Sequence, residues 1–252
     1  MSIAYEPILP RARIGFIIPS SNRMVEPHMQ RFMPAGVVPH FTRIRMTNQH
    51  KAPLVELIPR ITQAAELLAD SKCDVIVLQC TGTSMSGGVD TEQRVIAAMK
   101  EVTGRRALTT ASALNSAFAA LGAKRLVFIS ETGQDDHDPK LAYLREAGYE
   151  IVADRAAGLE GTDAYCTMPP RLWYDTALAL RNPAADAYFI SCANIHSIDV
   201  IEDLERDLGK PVVTSNQAAI WCALRTVGFN EAIPGLGILL KHGLGAKAAV
   251  AA

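Results

Sequence analysis

Asp74-Val-Ile-Val-Leu-Gln-Cys80 is a hydrophobic run of strand length that begins on an acid and ends on a thiol, and Asp186-Ala-Tyr-Phe-Ile-Ser-Cys192 repeats that pattern 112 positions later (192 − 80). Arg13-Ile-Gly-Phe-Ile-Ile and Arg125-Leu-Val-Phe-Ile-Ser recur at the same displacement, as do Gly36 with Gly148 and Arg43 with Arg155. One such match is weak; several in register at one displacement indicate a unit used twice.

Working outward, apolar runs of strand length at 13–19, 37–43, 74–79, 107–109, 125–130, 149–154, 187–191 and 212–215 alternate with helical patterns at 55–71, 91–102, 112–121, 139–147, 170–180, 198–208 and 217–226. Several of the latter place apolar residues at three- and four-residue spacing. This is the β/α alternation of buried parallel sheets, and it predicts an α/β fold. With 252 residues the chain exceeds the usual size of a single core, which favours two lobes.

The 25 basic and 26 acidic residues are spread along the chain, so no electrostatic footprint for nucleic acid or anionic lipid stands out and a small molecule is the expected partner. Residues 1–10 carry Glu6 and two prolines in place of a basic and then a long apolar stretch, which does not read as a signal peptide. No apolar run reaches the roughly 18 residues of a membrane span. Residence in the cytoplasm is therefore expected. The five cysteines are an odd, widely spaced set without a Cys-x-x-Cys pair, which argues for reduced thiols and against a disulfide framework or a zinc site.

Duplication gives the two thiols a chemical setting. Each of Cys80 and Cys192 ends a parallel strand, where open α/β sheets place their ligands. The polar segments that follow, Thr81-Gly82-Thr83-Ser84 and Ala193-Asn194, lead toward helix starts whose N–H groups can bind a carboxylate. Such helix starts are also expected to lower a thiol pKa from its ordinary value of about 8.5 and make thiolate available. The competing reading, a buried cysteine as a small inert hydrophobe, is kept for Cys73, Cys166 and Cys222, which have no repeat partner.

Asn22, in Pro19-Ser-Ser-Asn-Arg, follows the first strand and is a candidate carboxylate ligand, or else a turn and helix cap. The hydroxyls of Thr81, Thr83 and Ser84 are candidate substrate donors, or else loop caps. His196 is a possible base near Cys192, or an exposed loop residue. Asp135-Asp136-His137-Asp138 reads as a solvated loop ahead of a helix starting at Pro139, in preference to a metal cluster. Gly235-Leu-Gly237 lacks a following βαβ unit and gives no dinucleotide fingerprint. The Gly- and Ala-rich tail from Gly243 is expected to fray.

These motifs resemble the maleate cis-trans isomerase and arylmalonate decarboxylase branch of the aspartate/glutamate racemase superfamily. The resemblance runs from about Arg13 to Leu240, through Arg13-Ile-Gly-Phe-Ile-Ile-Pro-Ser-Ser-Asn22, Cys80-Thr-Gly-Thr-Ser, Leu121-Gly-Ala-Lys-Arg125, Ser191-Cys192 and Gly209-Lys-Pro-Val-Val-Thr-Ser215. It implies two pseudo-symmetric lobes, each a four-stranded parallel sheet flanked by helices, with the active site at their interface. The lobes would be 12–114 plus 217–252, and 115–216. It implies no metal or organic cofactor, a small carboxylate substrate, and a homodimer or larger homo-oligomer.

Carried onto this chain, the isomerase chemistry makes Cys80 the nucleophile that adds to the alkene, Cys192 the acid/base partner and Asn22 a carboxylate ligand. Gly82, Ala193 and Asn194 join Thr81, Thr83 and Ser84 in the substrate-binding set. Two departures stand out. Thr132, beside Glu131, occupies the position where the isomerases carry a carboxylate-binding Tyr, and Asp163 in Gly161-Thr-Asp falls where they carry an Asn. A carboxylate at 163 would repel a dicarboxylate substrate unless protonated or paired. Isomerisation of a maleate-like substrate is the leading expectation. Racemisation of an amino-acid-like substrate, arylmalonate-type decarboxylation, and non-catalytic ligand binding by a two-lobed protein are its alternatives.

Overall fold

Asp74 and Asp186 do the same job in two places: each carboxylate accepts the backbone N–H that opens the neighbouring strand, from Arg13 at 2.8 Å and from Arg125 at 2.7 Å. The computed structural model describes residues 9–46 and 52–244, so the N-terminal stretch 1–8 and the tail 245–252 lie outside the described residues. The first lobe runs β1 (Ala12–Pro19), α1 (Val25–Phe32), β2 (Val37–Ile44), α2 (Leu54–Asp70), β3 (Val75–Leu78), α3 (Thr81–Met85), α4 (Gly88–Thr103), β4 (Arg106–Thr109) and α5 (Thr110–Ala120). The second runs β5 (Arg125–Ser130), α6 (Gln134–Glu146), β6 (Glu150–Ala156), α7 (Gly161–Thr167), α8 (Pro170–Ala179), β7 (Ala187–Ile190), α9 (Ile201–Leu208) and β8 (Val212–Thr214), and α10 (Ser215–Thr226) follows the second sheet.

Both sheets are four-stranded and parallel, ordered β2-β1-β3-β4 and β6-β5-β7-β8. The duplication extends to detail. Gly36 and Gly148, just ahead of β2 and β6, both take left-handed φ, +84° and +88°, a conformation that favours glycine. Thr109 and Thr214 each cap the helix that follows with a reciprocal capping box.

Period-two alternation along β1 sends Ile14, Phe16 and Ile18 into a core continuous with the second lobe, while Ile17 faces α2 and α4 in a smaller one. On that second face Gly15 lets α2 close in, since a Cβ there would meet Leu68 Cδ1 at 2.9 Å. Helix α10 is buried along its whole length and packs on α5, α1 and both sheets, tying the lobes together.

The structure corrects three local expectations. Helix α6 starts at Gln134, so 135–138 is its first turns and no solvated loop. Asp135 and Asp136 suit the positive helix start. His137 is fully buried, held by Ser130 Oγ at 2.6 Å and Asp154 Oδ2 at 3.0 Å, and stacked on Phe128. Secondly, α1, α3 and α7 are helices that the periodicity reading omits. Thirdly, the segment after Cys192 opens with a 3-10 turn, Ser197–Val200, before α9. Among the described residues no helix is long and apolar enough to cross a membrane.

Candidate active site

In each sheet the chain leaves the inner strand to one side and returns on the other, so the carboxyl ends of β1 and β3, and of β5 and β7, flank a switch point where no connection covers the sheet. All four ends open onto one cavity of about 300 Å³ between the lobes. Ser21 and Asn22 come from β1, Cys80 to Thr83 from β3, Glu131 and Thr132 from β5, and Cys192 to Asn194 from β7. Helices add Lys140 and Asp136 (α6) and Thr162 and Tyr165 (α7), and Met46, Ala52, Leu57 and Met85 form an apolar wall.

The two thiols share the cavity but differ in backbone. Cys80 is half-buried in extended conformation, with its Sγ 3.1 Å from Thr83 Oγ1. Cys192 is buried at φ +101°, strained for a non-glycine residue, and its Sγ accepts the Asn194 N–H at 3.3 Å. The strain is overdetermined by its surroundings. Ser215 Oγ takes the Cys192 N–H at 3.1 Å and the Thr81 hydroxyl at 2.8 Å, coupling the two cysteine segments through the start of α10.

Burial opposes the expected ready thiolates, and more strongly at Cys192 than at Cys80. Burial pushes the Cys80 thiol up and the Cys192 thiol well up, outweighing the hydrogen bonds that stabilise the anions. Elsewhere burial pushes Cys73 up to about 11 and Cys222 up to about 12, in keeping with inert packing roles.

Asn22 fulfils both of its readings. Its Oδ1 accepts the N–H groups of Met24 at 3.0 Å and Val25 at 2.9 Å, while Nδ2 donates to Ala193 O at 3.2 Å and leaves a second N–H toward the cavity it lines. Thr81, Gly82, Thr83, Thr132, Ala193 and Asn194 also line it. Ser84 does not. As the fourth residue of α3 it points inward, where its Oγ donates to Thr81 O and accepts the Ala111 N–H.

Asp163 is likewise off the wall. It is exposed and bonds Arg23 at 2.5 Å, because in α7 the cavity-facing positions are 162 and 165, three apart, and 163 lies on the outer side. The feared repulsion of a second carboxylate therefore does not arise from Asp163.

Sequence reasoning missed Tyr165, whose i, i+3 relation to Thr162 was the available signal, and the pair Glu131 and Lys140. Lys140 Nζ sits 3.0 Å from both Glu131 carboxylate oxygens, and both side chains are almost fully buried. His196 does not line the cavity; its Nε2 donates to Cys166 O at 2.9 Å.

His28, His196 and Asp199 bring possible metal-ligand atoms within 4.8 Å of one another. The hydrogen bonds argue against that use. Asn216 Nδ2, oriented by Gln79 Nε2 on its Oδ1, donates to His28 Nδ1 at 2.7 Å. Burial lowers the His28 pKa to about 4, so the ring is neutral and its proton sits on Nε2, the nitrogen a metal would need.

Comparison with known proteins places this geometry in context. A family model described as arylmalonate decarboxylase matches residues 14–240. A maleate isomerase of Nocardia farcinica is 30% identical over 241 residues, covering 91% of this chain and 96% of that protein. An arylmalonate decarboxylase of Bordetella bronchiseptica is 28% identical over 189 residues, covering 74% and 79%. Among solved structures, a cysteine-to-serine variant of the Nocardia farcinica maleate cis-trans isomerase carrying a covalently bound succinylcysteine intermediate superposes with a TM-score of 0.84 at 27% identity, over 91% of this chain and 98% of that one.

Proposed function

The chain belongs to the arylmalonate decarboxylase family, and from that membership we propose that it is a cofactor-independent cysteine isomerase of a small carboxylate, with a maleate-like cis-enedioate as substrate. The observation that carries the reading is the meeting of Cys80 and Cys192, one from each lobe, on the wall of a single inter-lobe cavity that also holds Asn22, Thr81 and Thr83. A binding protein has no use for two thiols at repeated strand ends; covalent isomerisation uses both.

In this mechanism Cys80, its proton released to water, adds as thiolate to one alkene carbon. The π electrons move to the other carbon, which takes the proton from Cys192. Rotation about the resulting single bond, return of the proton to Cys192 and cleavage of the C–S bond release the trans isomer. Charge accumulating on a substrate carboxylate during addition is met by the Asn22 amide and the Thr83 hydroxyl, donors of a kind worth roughly 3–4 kcal/mol each where preorganised. Burial of Cys192 limits the water that can intercept the carbanion.

One observation favours a second reading. The wall of Met46, Ala52, Leu57 and Met85 is more apolar than a four-carbon dicarboxylate needs. It suits a malonate bearing an apolar substituent, with Cys192 protonating the enediolate left by loss of carbon dioxide. Homo-oligomeric assembly and residence in the cytoplasm belong to the proposal as well. Proton NMR of the protein incubated with maleate in deuterated buffer tests it. Fumarate formed by the wild type and lost in Cys80→Ala supports isomerisation, whereas persistent maleate together with deuterium uptake into substituted malonates or amino acids rejects it.

A further inference from the structure

Glu131 and Lys140 form an ion pair that is buried from bulk water yet opens onto the cavity shared by both thiols. Glu131 directly follows β5, and Lys140 lies in α6, the helix that packs against α3 beside Cys80; a Cβ on Gly82 would lie 3.8 Å from Lys140 Cε. Replacing a buried ion pair by apolar residues is commonly neutral or stabilising, so stability alone gives little reason for one here. Asp136 is the other charged residue on the wall among the described residues.

We infer that this pair divides labour between the thiols: Lys140 stabilises the thiolate that Cys80 forms in order to attack, and Glu131 keeps Cys192 as the proton-bearing acid. The inference rests on the isomerase reading and assigns the two roles within it. Both act as positioning residues, through the sulfurs. Lys140 reaches the Cys80 segment at Gly82, and β5 and β7 pair with Ile129 opposite Ile190, so Glu131 and Cys192, each two residues further on, emerge side by side at the strand ends. Against the burial that raises both thiols, Lys140 favours the anion at each sulfur while Glu131 opposes it.

Charge is conserved along the cycle. Cys80 loses its proton to water through the cavity mouth before substrate enters, which leaves one thiolate beside one ammonium–carboxylate pair. Addition turns the Cys80 sulfur into a neutral thioether, and transfer of the Cys192 proton to carbon creates a thiolate there. The single negative charge has crossed the cavity with Lys140 facing both positions. The new thiolate stands beside the Glu131 carboxylate, and this repulsion drives the proton back and C–S cleavage forward.

The test is substrate-free and therefore separate from the isomerase reading: site-resolved alkylation of the full-length protein by iodoacetamide across a pH series, read by peptide mass spectrometry, with Cys73 and Cys222 as buried controls. In the wild type, Cys80 should react at least ~10-fold faster than Cys192 at neutral pH. Lys140→Met should move the Cys80 profile upward by roughly one to three pH units, the range for a charge a few ångströms away. Glu131→Gln should move the Cys192 profile downward. If either single variant fails to fold, the double variant Lys140→Met/Glu131→Gln, which leaves no lone buried charge, decides. Collapse of the difference between the two profiles supports the inference, and an unchanged difference overturns it, even should the protein turn over no maleate.

Discussion

In the first lobe Cys80 leaves β3 with φ −154° and ψ 108° and passes directly into α3; in the second, Cys192 leaves β7 with φ +101°, and an irregular segment intervenes before the 3-10 turn. The frameworks up to those points match, down to the acid that pins each neighbouring strand. What differs lies beyond the strand ends. The first lobe follows β1 with the uncharged Ser20-Ser21-Asn22, while the second follows β5 with Glu131 and sends Lys140 back to pair with it. Duplication supplied two equivalent thiol positions, and divergence of the loops made one sulfur accessible and ordinary in backbone, the other buried and strained. A symmetric pair would suit a racemase working both faces of one carbon; an asymmetric pair suits one nucleophile and one acid.

The sharpest way to break this comparison is to exchange the thiols' fates. Cys80→Ala should abolish isomerisation outright, because no covalent adduct can form, as judged by fumarate production. Cys192→Ser should slow it by about 10²–10⁴-fold, the usual worth of a positioned acid or base, while leaving the alkylation of Cys80 intact. Equal losses with no adduct in either variant would restore a symmetric account.

The strand-pinning acids come next. Asp186 accepts five hydrogen bonds from Arg125 and Lys124, whereas Asp74 is engaged by the Arg13 backbone. Asp186→Asn should cost about 1–3 kcal/mol in denaturant unfolding, as for hydrogen bonds to a charged group, and Asp74→Asn less. Arg125 holds the Asp186 carboxyl below the usual range. A depressed folded-state pKa contributes stability above the unfolded value of about 3.9. The difference between wild type and Asp186→Asn should therefore be full near neutrality and shrink as pH falls below about 4.

The smallest effect addresses backbone strain. At 192, Gly should be more stable than Ala by about 1 kcal/mol because a left-handed φ suits it, and at 80 the order should reverse by about the same amount. Thermal unfolding of the four variants checks this, and the same sign at both positions would remove the backbone asymmetry from the account.

Much of the framework was legible in the sequence. The strands are short apolar runs bounded by acids and turns, and the fixed displacement exposed the duplication, so two like sheets followed. Cys80 and Cys192 were legible because a repeat singles out positions that composition cannot. The start of helix α6 was not, because Pro139 reads as a helix start, whereas the buried anchor His137 and the acidic first turn carry the helix back to Gln134. Asp163 and Ser84 were misplaced because position along a loop does not give side-chain direction until the loop is known to be helical. Glu131 and Lys140 escaped because neither spacing nor family pattern marks an ion pair formed across a turn; only packing brings its members onto the cavity wall.

The central claim, a covalent bond between Cys80 and substrate with Cys192 as its proton source, is tested most directly by mass spectrometry of Cys192→Ser after incubation with maleate. The account predicts an adduct with the mass of one maleate on the peptide containing Cys80, formed slowly by proton delivery from water and stable because no Cys192 thiolate remains to take that proton back. An unmodified Cys80 in that variant, with the wild type converting maleate to fumarate under the same conditions, would contradict it.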